Sequence, residues 1–100
     1  MGRKERAKPQ RLAGKLAEIR LALNLTAEEM IKLLDYPALP IYRASITEYE
    51  KGRREPPLLI LLEYARVANV FLEVIVDDRL DLPDKIPSKE KSLGIPNKNL

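Results

Sequence analysis

Three cations stand around one glycine in the stretch RASITEYEKGRREPP, residues 43–57: Lys51 precedes Gly52, and Arg53 and Arg54 follow it. A glycine after a short helical pattern is the expected left-handed end of that helix. Cations just past such an end are favoured by the negative pole of the helix dipole. The same group of charges is also suited to holding an anion, and both readings stay open at this level. Little else in the chain has reactive chemistry. It contains no cysteine and no histidine, so disulfides, thiolate metal sites and the commonest general acid–base group are excluded. No paired-carboxylate cleft, glycine-rich phosphate loop, metal cluster or cofactor motif is visible. The expectation is a protein that binds and does not catalyse, with no metal and no cofactor.

Charge distribution sharpens this. The net charge is only +3, but residues 1–25 carry Arg3, Lys4, Arg6, Lys8, Arg11, Lys15 and Arg20 against Glu5 and Glu18. Residues 57–78 run the other way, with Arg66 against Glu63, Glu73, Asp77 and Asp78. A chain polarised in this way can offer one basic side to a polyanion; a solvated tail with ordinary surface charge is the plainer alternative. At 100 residues the chain suits one domain. Apolar residues at 45% make it globular, and the scarcity of aromatics beside abundant alanine and leucine favours helices.

The elements that must position these charges can be read along the chain. Residues 1–9, MGRKERAKP, have no large apolar anchor beyond the first methionine and read as a mobile basic arm. Leu12, Leu16, Ile19 and Leu23 recur at helical spacing from Gln10, and Asn24 is a plausible stop. Thr26-Ala27-Glu28-Glu29 fits a capping box that opens a second helix, with Met30, Ile31, Leu33 and Leu34 as its inward face. Asp35-Tyr36-Pro37 ends it. A third helix is expected from Pro40, which suits a first helical position, with Tyr42, Ile46 and Tyr49 in one stripe. Pro56-Pro57 opens a fourth, whose core face is Leu58, Leu61, Leu62, Ala65 and Ala68. A short fifth, LEVIVDD, follows, although FLEVIV is the one segment where a strand competes. Residues 79–100 are proline-spaced and charged, and read as a tail.

LAEIRLALNLTAEEM followed by SITEYEKGRREPPLLILLEYARVANV resembles the phage repressor and Cro-like (XRE) helix-turn-helix domains over roughly residues 10–78. The most specific element is Ile46-x-x-Tyr49-Glu50-x-Gly52-x-x-x-Pro56, in register with Arg20. The resemblance implies an all-α, compact five-helix domain of the lambda-repressor-like helix-turn-helix type. It further implies a sequence-specific transcriptional regulator, a dimeric repressor reading double-stranded DNA at a palindromic operator. Arg20 and Glu50 match an ion pair that fixes the angle between helices. Arg43, Ala44, Thr47 and Glu48 match the base-reading positions, with chemistry suited to guanine, thymine and cytosine edges. Glu48 is equally suited to holding Arg43. Lys51, Arg53 and Arg54, with Tyr42 and Ser45, match positions that grip phosphate. Between Leu34 and Ile46 the chain is about five residues longer than the tight turn of the motif, so DYPALP bulges or the third helix gains a turn. Ala27 stands where the family often has a DNA-contacting glutamine.

Apolar residues beyond the core stripe, namely Leu59, Ile60, Val67, Phe71, Leu72 and Val76, either thicken the core face or form a homodimer interface. Such a dimer presents two reading helices about 34 Å apart. The tail has Leu80, Leu82, Ile86, Leu93 and Ile95, enough for a clasp on its own domain, on a second subunit or on a partner protein. An antitoxin-like module that holds a partner protein on the same fold is the alternative function. No signal peptide or membrane span is apparent, so a cytoplasmic location is expected.

Overall fold

Local capping chemistry sets most of the element boundaries. The computed structural model describes residues 7–38 and 40–98; the remainder of the expected arm, residues 1–6, lies outside the described residues. Helix α1 spans Leu12–Ala22 and buries Leu12, Leu16 and Ile19. Asn24 then takes a left-handed φ of 59°, a conformation asparagine tolerates better than most residues. Thr26 caps α2 (Ala27–Leu34). Its Oγ1 accepts from the Glu29 amide at 3.1 Å while the Glu29 carboxylate accepts from the Thr26 amide at 2.8 Å, the reciprocal box expected from sequence. Met30 and Leu34 face inward, but Leu33 is 45% exposed and is no part of the core.

The long connection is a bulge, not a longer helix. Asp35 turns left-handed at φ 45°, and α3 begins only at Arg43, ending at Glu50. Pro40 therefore lies outside the helix, and Tyr42, expected on the inward stripe, is its exposed N-cap. Ser45 takes the inward position, because starting at Arg43 turns Ser45, Ile46 and Tyr49 toward α1 and α2.

Helix α4 (Leu58–Ala68) buries Ile60, Leu61, Tyr64, Ala65 and Ala68. The face is rotated from the expected one: Leu58 is exposed, Leu62 is half-buried, and Ile60 and Tyr64 are core. The preference for packing the largest side chains inward explains the choice, since Tyr64 is the largest fully buried side chain. Asn69, left-handed at φ 56°, ends α4, and α5 (Leu72–Val76) is helical where a strand had competed.

The C-terminal segment does not trail away. Strand β1 (Leu80–Asp81) pairs antiparallel with β2 (Ile95–Pro96), with Leu80 opposite Pro96 and Asp81 opposite Ile95. Ser92 bridges to Val70, and the Ser88 amide donates to the Ala68 carbonyl at 3.0 Å. Leu82 is buried with the main core. Residues 79–98 thus clasp the chain's own α4 and α5, and the expected tail is part of the folded body. The described fold is mostly helical, with five helices and one small sheet.

Candidate nucleic-acid interface

Helix α3 is held from behind. Arg20, in the last turn of α1, reaches Glu50 in the last turn of α3 with two parallel bonds of 2.7 and 2.9 Å. Its remaining nitrogen donates to the Leu25 carbonyl at 2.9 Å. The two side chains are only 21% and 12% exposed, so the pair ties α1, α3 and the α1–α2 turn together. The carboxylate holds the Arg20 guanidinium above its ordinary pKa, chiefly through that hydrogen bond.

With Ser45, Ile46 and Tyr49 buried, the opposite face of α3 presents Arg43, Ala44, Thr47 and Lys51 to solvent. The 3.6-residue period brings these four onto one side. Thr47 Oγ1 donates to the Arg43 carbonyl at 3.3 Å, leaving its methyl group on the surface. The Arg43 guanidinium lies 3.4 Å from Glu28 on α2, both side chains more than two-thirds exposed. Glu48 does not hold Arg43; it is half-buried and pairs at 3.3 Å with Arg53. Its place is thus closer to the turn than to the outer face.

The glycine stop is a closed cap. Gly52 has φ 74°, and the Arg53 and Arg54 amides both donate to the Glu48 carbonyl, at 3.0 and 3.3 Å. The Lys51 and Gly52 amides donate to Thr47 and Tyr49 carbonyls. These amides satisfy the helix's own carbonyls, so only the side chains of this turn face outward. Arg54 lies over the Tyr49 ring, 5.8 Å from its centre, and Lys51, Arg53 and Arg54 are all exposed.

Two expected positions fall elsewhere. Ser45 is 7% exposed and accepts from the Tyr42 amide at 3.3 Å, so it is spent on starting the helix and does not face a phosphate. Ile60, placed in the dimer set, is 1% exposed and belongs to the domain's own core. Leu59 remains 51% exposed, while Val67, Phe71, Leu72 and Val76 are half-buried. The C-terminal segment accounts for part of this, with Lys91 lying 4.4 Å from the Phe71 ring centre.

The charge polarity of the chain is partly consumed inside it. Lys15, counted among the basic residues, is 3% exposed and donates to the Val74 and Asp77 carbonyls at the end of α5, at 2.7 and 2.9 Å. Burial lowers its pKa. Arg11 donates to the Asp78 and Leu80 carbonyls and forms an ion pair with Asp81. The Asp78 carboxylate in turn accepts the amides of Gln10 and Arg11 at 2.8 and 3.0 Å, capping α1 from across the fold. The Gln10 amide above all holds its pKa below the usual range. Sequence reasoning assigned none of these roles. The opposed charge runs of residues 1–25 and 57–78 were the available signal, pointing to each other rather than outward.

Among the described residues there is no cluster of acidic side chains able to hold a metal ion, and no helix is long and apolar enough to cross a membrane. The class these features define is a mostly helical domain with an exposed, basic-ended helix held on a two-helix platform. Comparison of the chain with protein-family models, with curated proteins and with solved structures gives no match.

Proposed function

We propose that this protein is a sequence-specific double-stranded DNA-binding regulator of lambda-repressor-like helix-turn-helix type. Helix α3 reads the major groove, and the protein represses transcription as a dimer on a palindromic site. The observation that carries the reading is the division of α3 into two faces: Ile46 and Tyr49 locked into the core, and Arg43, Ala44 and Thr47 outward. Arginine can grip guanine O6 and N7 in a fork, and alanine and the threonine methyl suit a thymine methyl. To reach a base, Arg43 leaves Glu28, a cheap exchange for an exposed pair. Lys51, Arg53 and Arg54 lie at the end of the same helix, where they contact phosphates and set position without reading sequence. The exposed Leu59, beside Leu58 at 65% exposure, supports a second copy as the cover of that end of α4.

The test is selection of bound duplexes from a random pool at two salt concentrations. A recovered palindrome with half-sites one helical turn apart supports a dimeric reader. Arg43→Ala then changes base preference, costing about 1–3 kcal/mol at its position, whereas Arg53→Ala weakens all sequences alike and lowers the salt slope by about one unit. Recovery of no motif, with binding that vanishes as salt rises, sinks the proposal. Partner-protein binding, as in an antitoxin-like module, then becomes the leading reading.

A further inference from the structure

Beside the C-terminal end of α3 lies a cleft of 780 Å³ that the reading helix does not use. Lys8, Gln10 and Ala13 line one side, and Gly52, Arg53 and Arg54 line the other. Its wall carries three cations against one carboxylate, that of Glu55. Where the walls meet, a methyl group at Gly52 would be in ordinary contact with the Ala13 Cβ, at 3.6 Å, so the two walls come close together there.

One wall, residues 7–10, has no regular structure of its own. Helix α1, which follows it, has no side-chain cap from its own N-cap residue. The Asp78 carboxylate instead accepts the Gln10 and Arg11 amides at 2.8 and 3.0 Å. Arg11 answers by donating to the Asp78 and Leu80 carbonyls, at 2.9 and 3.2 Å. The group that holds the Gln10 end of the cationic wall is therefore itself an anion.

We propose that this cleft seats a backbone phosphate of one DNA strand beside the reading helix, with Lys8 closing on it opposite Arg53 and Arg54. Asp78 is a positioning residue for that site: it holds residues 8–10 against the turn. The inference rests on the DNA-reading proposal above and adds Lys8 and Asp78 to it. Charge complementarity selects the occupant, since the Arg54 fork, the Lys8 ammonium and Arg53, once it leaves its exposed pair with Glu48, suit phosphate oxygens.

Asp78 makes the proposal sharply testable, because its charge and its positioning role push binding in opposite directions. Removing a carboxylate from a DNA-binding protein strengthens binding through charge alone. Loss of the arm's anchor weakens it. The experiment measures binding of the full-length chain to a 30-bp duplex (roughly three helical turns) across a series of salt concentrations. It uses Lys8→Ala, Asp78→Asn and, as a charge control on the exposed side of α5, Glu73→Gln. Lys8→Ala is expected to lower the salt slope by about one unit with base preference unchanged. Asp78→Asn is expected to weaken binding and lower the slope, with Glu73→Gln equal to or tighter than the parent. Binding by Asp78→Asn as tight as that of Glu73→Gln overturns the positioning role. An unchanged slope in Lys8→Ala overturns the phosphate seat, and this variant decides the matter if Asp78→Asn does not fold. The two proposals fail separately: if Arg43→Ala leaves base preference unaltered while Lys8→Ala lowers the slope, the cleft stands and the sequence reader falls.

Discussion

Replacing Glu50 by alanine tests the connection between the rest of the fold and helix α3. The carboxylate receives two charge-assisted bonds from Arg20, at 2.7 and 2.9 Å, and its removal leaves that guanidinium with the Leu25 carbonyl. Stripping one partner from a fully buried pair costs about 3–5 kcal/mol. The Arg20 side chain keeps 21% of its exposure, so water reaches it and the cost falls to or below the lower end of that range, about 2–3 kcal/mol. For a domain of this size each kcal/mol moves the melting point by about 4–8 °C, giving a fall of roughly 10–20 °C. Urea denaturation gives the second readout: the midpoint drops while the slope m is unchanged. Glu50→Gln retains one acceptor and should lose about half as much. Replacement of both partners by apolar residues (Arg20→Met with Glu50→Leu) should recover much of the deficit, because no charge is then stranded. A Glu50→Ala loss below about 0.5 kcal/mol, or strict additivity between Arg20→Ala and Glu50→Ala, would refute the pair as the tie between α1 and α3.

Three further perturbations probe the rest of the body. Gly94 sits at φ 78°, and a Cβ there would collide with the Asp81 carbonyl oxygen and lie 3.0 Å from Val74; Gly94→Ala should cost at least about 2 kcal/mol and speed hydrogen exchange at the Asn97 amide, which bonds the Arg79 carbonyl. Unaltered exchange would mean the clasp is not seated as described. The Tyr64 hydroxyl is buried and finds no hydrogen-bond partner among the described residues, and burial pushes its pKa up, so Tyr64→Phe should be neutral or stabilising by up to about 1 kcal/mol; a clear loss in the melting curve contradicts this. Asp78 has a folded pKa below its ordinary 3.8, so its contribution is complete above that value and lost as pH falls through the folded pKa. The acid limb of stability against pH should accordingly flatten in Asp78→Asn, and an identical acid limb in variant and parent speaks against the cap.

Local signals in the sequence were reliable wherever a boundary is set by neighbouring residues. The Thr26–Glu29 box and the Gly52 cap involve groups three to six positions apart, and both form as their residue types dictate. The Arg20–Glu50 pair was legible only through resemblance, since 30 residues separate the partners. Pro40 misled because a proline that suits a first helical turn suits an extended connection equally well. That one shift moved Tyr42 outward and Ser45 inward. On α4, every one of the first five residues is apolar, so periodicity alone could not choose a face; packing of Tyr64 did. Which of its three possible partners the C-terminal clasp takes was not legible, for a different reason. Leu82 joins the core, but the choice of the chain's own α4 is made by backbone bonds of Ser88 and Ser92 to Ala68 and Asn69, which leave no periodic apolar trace.

The capping of α1 by Asp78 also fixes an order of events during synthesis. The cap joins positions 67 residues apart, and Lys15 finds its α5 carbonyls 59 and 62 residues downstream. While the chain is still emerging from a ribosome, α1, α2 and α3 can meet through Leu16, Ile19, Met30, Leu34 and Ile46. The first amides of α1 and the Lys15 ammonium stay hydrated until residues 74–81 appear, and closing so long a loop is slow relative to local helix formation. The helix that opens the described fold is therefore completed only after α5 has formed, and a nascent chain that stops short of α5 carries α3 while the first amides of α1 still lack their cap.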